Sequence, residues 1–162
     1  MTPYLVTPPA SLPVTLAEAR EHCHVDHTDE DAMLTAYISA AVANLDGWRG
    51  VLGRAIMPQT WAVTVDAAGD YVLPMPDVTA ASIGGAALTI TPTALGPQIT
   101  TEAAGVVQFT CGLPAEQMPA AKAAILLLVG HWFANREAAG AQLVEVPMAA
   151  DMLIGAPRWR RL

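Results

Sequence analysis

The chain has 162 residues, enough for one domain with a core of its own. It is 53% hydrophobic and carries a net charge of −7 with a single lysine, which excludes a body that grips nucleic acid through a broad basic face. Its two cysteines, Cys23 and Cys111, exclude a disulfide framework and read as buried thiols of an intracellular protein.

Only 14% of the residues are charged, where about 25% is usual for a soluble domain. Two explanations stand. One is surface hidden by neighbouring copies in an assembly; the other is an alanine-rich composition from a GC-rich genome.

Residues 1–14 hold Pro3, Pro8, Pro9 and Pro13 and read as an extended arm, either docked on a neighbour or frayed. The start MTPYLVTPP has neither the basic residues nor the apolar run of a secretory leader. Thr15-Leu-Ala-Glu18 is a capping box, so a short first helix is expected from Leu16 to His24. A turn over Asp26–Asp29 supplies a second cap at Asp29. Acidic residues 29–31 then favour the positive end of a second helix, expected from Asp29 to Leu52. Its apolar stripe runs Met33, Leu34, Tyr37, Ile38, Ala41, Val42, Leu45, Trp48, Leu52. Its other face, Ala36, Ser39, Ala40 and Ala43, is small enough for a second helix to approach. Gly53 reads as the stop.

The middle changes period. Gln59 to Asp66 alternates like a half-buried strand, and Tyr71–Leu73, Val78–Ile83, Ala87–Thr91 and Gly105–Thr110 are further strands, with Gly84-Gly85 as a hairpin turn. Prolines 74, 76, 92, 97 and 114 keep these pieces short. The expectation is five to six short strands inserted between helices.

Pro119 to Glu137 is the most apolar stretch and reads as a central helix packed on more than one side. It falls short of the roughly 20 apolar residues of a membrane span. After a loop over Ala138–Glu145, a short helix is expected at Met148–Ile154, stopped by Gly155 and Pro157. Three of the eight basic residues lie in the last five positions, Arg158-Trp159-Arg160-Arg161-Leu162.

Catalytic motifs are scarce. There is no G-x-S-x-G elbow, no phosphate loop and no dinucleotide fingerprint. His22-Cys23-His24-Val25-Asp26-His27 is the one metal-like cluster, and Cys111 could join His24 and His27 if the fold brought it near. Zinc sites usually draw two separated pairs, so a helix end rich in histidine is the preferred reading. His131 reads as a core or interface histidine. No catalytic residue, cofactor or metal is therefore assigned. The best candidate binding site is Arg158, Trp159, Arg160 and Arg161, because Trp and Arg are enriched at binding hot spots. A solvated tail is the plainer alternative.

The order of these pieces resembles the head–tail connector (adaptor) proteins of long-tailed phages, prophages and gene transfer agents. The matching stretches are Leu16-Ala-Glu-Ala19, Glu30-Asp31, Gly53-Arg54 followed by Gln59-Thr60-Trp61, Leu73-Pro74 with Pro76, Pro119 with Lys122-Ala-Ala-Ile125, and Asn135-Arg136-Glu137. Two positions depart. The family often has an acid at about Leu45, and here it is Asp46; its usual Tyr-Arg end is Trp159-Arg160.

The resemblance implies an α+β, mainly α fold. That is a helical bundle, two long helices plus short terminal ones, with a small inserted antiparallel β region. By residue, the reading is an arm over 1–14 and one adaptor domain over 15–155, with helices at about 15–53 and 119–155 and the β region at about 57–113. A docking tail over 156–162 completes it. The resemblance also implies a homo-oligomeric ring, commonly a dodecamer, below the portal protein in the neck of a particle assembled in the bacterial cytoplasm. Such a ring extends the DNA channel without binding DNA specifically and meets the next neck or tail-completion protein; no membrane is involved. The C-terminal segment would meet the portal. Ala36, Ala40, Ala43, Trp48 and Trp132 are the candidate subunit-packing residues. The rival reading is a small DNA-binding or packaging factor using the Arg/Trp end.

Overall fold

The computed structural model describes residues 1–136, 148–155 and 157–159. Thr15 caps α1 (Leu16–Cys23) as its sequence requires: its hydroxyl accepts from the Glu18 N–H, and Glu18 reaches back to the Thr15 N–H at 2.7 Å. His24 ends the helix in the left-handed conformation, φ 56°. The next helix, α2 (Asp31–Leu45), begins two residues later than the expected cap at Asp29. Glu30 occupies the cap position without a side-chain hydrogen bond, and Asp31 instead pairs with Arg20 of α1.

α2 also ends seven residues earlier than expected, for a reason the structure makes plain. After Asp46 the chain doubles back, and the N–H groups of Val51 and Leu52 donate to the carbonyls of Asn44 and Leu45. The orphan acceptors of the last turn are thus satisfied by the returning chain instead of by more helix. Gly50 is required there, because a Cβ would lie 2.2 Å from the Asp46 carbonyl oxygen.

The strands are β1 (Tyr4–Thr7), β2 (Gln59–Val65), β3 (Gly69–Val72), β4 (Val78–Ile83), β5 (Ala86–Ala87), β6 (Ile90–Thr93), β7 (Gly96–Thr101) and β8 (Gly105–Cys111). They form two antiparallel sheets, one ordered β1-β2-β8-β4-β5 and the other β3-β7-β6. Val63, Val65, Ala81, Val107 and Phe109 of the larger sheet share one buried cluster with Ile99 of the smaller, so the sheets enclose a core between them.

A short 3-10 turn (Ala115–Gln117) leads into α3 (Met118–Ala134), followed by α4 (Met148–Gly155). Leu34, Ile38, Ala41 and Leu45 of α2 pack with Ala121, Ala124, Ile125, Leu128 and Val129 of α3 and with Ala150 and Ile154 of α4 in a second core. No helix among the described residues is long and apolar enough to cross a membrane.

The fold class expected from the sequence is corrected here. The chain is not a helical bundle with a small β insertion: helix accounts for about 34% and strand for 28%, and the strands make two antiparallel sheets with a core of their own. The undercount came from β1 and β7. The run Tyr4–Thr7 adds to the edge of the larger sheet by pairing with β2 (Tyr4↔Ala62, Leu5↔Trp61). Strand β7 is the centre of the smaller sheet, although it opens Gly96-Pro97.

Candidate functional site

Two joints hold the helical half to the sheets. At the first, the Asp46 carboxylate accepts from the Ile56 N–H at 2.6 Å and from the Gln59 side-chain amide at 2.9 Å, tying the end of α2 to the start of β2. At the second, Arg54 is 8% exposed and uses its guanidinium as a fork. Nε and Nη2 each donate to an Asp77 carboxylate oxygen at 2.7 Å, just before β4. Nη1 donates to the Gln117 side chain at 2.7 Å, at the start of α3, and to the Pro157 carbonyl at 2.8 Å. One buried side chain therefore fastens the sheets, α3 and the C-terminal segment together. Asp77 adopts the left-handed region, φ 57°, which Asp tolerates better than most residues.

The candidate C-terminal site is only partly described. Arg158 is exposed and Trp159 half-buried; Arg160 and Arg161 lie outside the described residues. Trp159 is fastened to the body: its N–H donates to the Leu52 carbonyl at 2.8 Å. Its backbone lies against Gly53, where a Cβ would sit 3.3 Å from the Trp159 oxygen and where φ is +63°. Its ring lies 3.6 Å from the Cβ position of Gly96, at the β6–β7 turn. Gly53 thus serves the approach of Trp159, not the end of α2.

The candidate packing residues fall into two groups. Ala36, Ala40 and Ala43 are exposed along one side of α2, with Ala32, Thr35 and Ser39 beside them. The Thr35 and Ser39 hydroxyls donate to the carbonyls of Asp31 and Thr35 one turn back, so this face is small, uncharged and has those donors already satisfied. The tryptophans are elsewhere. Trp132 is half-buried beside Tyr37, ring centroids 6.2 Å apart. Trp48 packs against the sheet core and carries the Arg49 guanidinium 5.9 Å from its ring centroid.

Sequence reasoning missed a cleft at this point. Pro3, Tyr4, Leu5, Trp48, Arg49 and Trp61 line a space of about 420 Å³ where β1 meets the α2–β2 connection. Its signal was the Tyr-Leu-Val run in the arm, which reads as a strand once the partner β2 is known. Arg54 was quoted only as part of the family pattern; a lone arginine inside the apolar run Val51–Met57 was the signal of a buried joint.

The histidine cluster is dispersed. His24 is the α1 cap, and the His22 ring lies against Gly130 of α3, 3.0 Å from its Cβ position. Among the described residues no three His, Cys, Asp or Glu side chains come together as metal ligands. Burial first, then the Asp77 and Asp46 charges, push the Cys111 thiol up to about 12. Burial and the Glu30 charge also raise Cys23.

What these parts define is a structural body: two cores joined through Asp46 and through the Arg54–Asp77 ion pair, with an uncharged helix face left open. Residues 13–68 match the family described as Phage gp6-like head-tail connector protein. Solved structures agree over the whole length. A chain in the neck of an empty GTA particle computed with C6 symmetry has TM-score 0.69 and 20% identity, covering 100% of this chain and 97% of that one. A chain in a virion of native gene transfer agent (GTA) particle gives 0.68 and 20%, with the same coverage. A chain in the neck of a native GTA particle computed with C12 symmetry gives 0.66 and 21%, again with 100% and 97% covered. No curated protein matches the chain. The likeness in fold and the match over residues 13–68 bear out the resemblance to head–tail connector proteins read from the sequence.

Proposed function

We propose that this protein is a non-enzymatic connector subunit that forms a homo-oligomeric ring in the neck of a tailed phage or gene transfer agent particle. The observation that carries the reading is the match of residues 13–68 to the head–tail connector family. The ring sits below the portal protein, extends the DNA channel and offers a platform to the next neck or tail-completion protein. Twelve copies are the number favoured, in keeping with the C12 symmetry named for one structural neighbour.

Within the ring, the small uncharged face of α2, with Ala36, Ala40 and Ala43, packs against the adjoining subunit. Trp48 and Trp132, which lie off that face, add to the packing between subunits. The basic end, Arg158 to Arg161, docks on the portal. A net charge of −7 suits a channel wall past which DNA slides, because basic contacts would hold it. The experiment is to make particles without this chain, in the bacterial cytoplasm where assembly takes place, and count them by electron microscopy. Filled heads without tails are the expected product; tailed particles at normal yield would remove the proposal.

A further inference from the structure

We propose that Arg54 is a latch for the C-terminal strap, Pro157 to Trp159, holding it against the body. The strap is short and its anchors are few. The Pro157 carbonyl accepts from Arg54 Nη1 at 2.8 Å, and the Trp159 N–H donates to the Leu52 carbonyl at 2.8 Å. Between these two bonds Arg158 projects into solvent. The side on which the strap lies is set by Gly53 and Gly96, whose missing side chains leave room for the Trp159 backbone and ring.

Arg54 can hold a carbonyl only because the rest of its fork is occupied. Asp77 takes Nε and Nη2 and fixes the plane of the guanidinium; Gln117 shares Nη1 with Pro157. A lysine at 54 presents a single ammonium on a flexible stem. It can reach Asp77 or the strap, but it cannot hold the planar arrangement that reaches both. Arg54 is therefore a positioning residue: it touches no partner itself and acts through the segment it holds. The latch belongs to the free chain, so its test needs no particle, and its failure would leave the connector reading standing.

The test is amide hydrogen exchange on the full-length protein, wild type beside Arg54→Lys and Trp159→Ala. In the wild type the amide of residue 159 is protected. Both variants lower that protection by at least ~10-fold while the amides of β2, β8 and α3 keep theirs, which is local opening of the strap alone. Exchange of residue 159 at the free-chain rate in the wild type overturns the latch. So does unchanged protection in both variants. If Arg54→Lys also loosens β2 and β8, Trp159→Ala decides: loss confined to the amides of residues 158 and 159 supports the strap, and no loss there overturns it.

Discussion

Arg54 and Asp77 meet through two parallel hydrogen bonds of 2.7 Å, side by side, in a site where the arginine is 8% exposed. The pair stands where the sheets, α3 and the C-terminal segment converge. Removing one partner leaves a buried charge uncompensated, which costs roughly 3–5 kcal/mol. Arg54→Met should lower stability by about that amount in denaturant unfolding. Asp77→Asn should cost less, because Asn tolerates the left-handed backbone and still accepts one hydrogen bond. A loss below about 1 kcal/mol for Arg54→Met would mean that the joint carries little of the fold.

Asp46 should behave as a hinge pin between the helical and sheet halves. Asp46→Ala deprives the Ile56 N–H and the Gln59 amide of their shared acceptor. The expected destabilisation is about 1–3 kcal/mol, since Gln59 is buried and cannot turn to water. Equal unfolding midpoints for the variant and wild type would show that water replaces the carboxylate.

The open face of α2 gives a prediction that separates folding from assembly. Ala40 is exposed in the single chain, so Ala40→Glu should change stability by no more than about 0.5 kcal/mol. In a ring packed through that face, the same change places an unpaired charge between subunits. Complementation with this variant should yield normal heads and few tails. Wild-type numbers of tailed particles would move the subunit contact to another face.

Glu18 makes part of the stability pH-dependent. Hydrogen bonds from the Thr15 backbone and from Lys122 hold its carboxyl down from 4.5 to about 2. A depressed carboxylate contributes stability that is fully present above its unfolded value and is lost as pH falls through its folded one. The thermal midpoint should therefore drop between about pH 5 and pH 2. Glu18→Gln should show a smaller drop over the same range from a lower starting midpoint. Parallel pH profiles would assign the acid sensitivity elsewhere.

The two thiols should differ in reactivity. Cys111 is 1% exposed and its thiol is pushed up to about 12, so almost no thiolate exists at neutral pH. Cys23 is half-buried and its thiol is raised by burial and by Glu30. Native alkylation should label Cys23 slowly and Cys111 only after unfolding. Fast labelling of Cys111 in the native protein would contradict its place in the sheet core.

Local signals in the sequence were sound where the structure depends on neighbours in the chain. The Thr15–Glu18 box starts α1, Pro119 sits in the first turn of α3, and Val78–Ile83 is β4. What was not legible depends on distant partners. Tyr4–Thr7 becomes a strand only because β2 lies beside it. Gly96-Pro97 looks like a strand breaker. Yet Pro97 faces Pro92, a pairing in which neither residue needs an N–H toward the other, and the Pro97 carbonyl points the opposite way to accept from Leu73. Reading such prolines as interruptions shrank the β half and made the chain look mainly helical. At the C-terminal candidate, the Arg-Trp pattern was visible in the sequence. The contacts of Trp159 with Leu52, Gly53 and Gly96 were not, because each lies more than sixty residues away along the chain.

The central claim is that copies of this chain form the ring between head and tail. A cryo-EM reconstruction of the neck of the particle that encodes it tests this most directly. The account predicts a layer below the portal into which this fold, both sheets included, fits as a closed ring, with the Ala36–Ala43 face of α2 at the contact between subunits. A neck whose layers are all occupied by other chains, or one holding this protein as a lone copy, would contradict it.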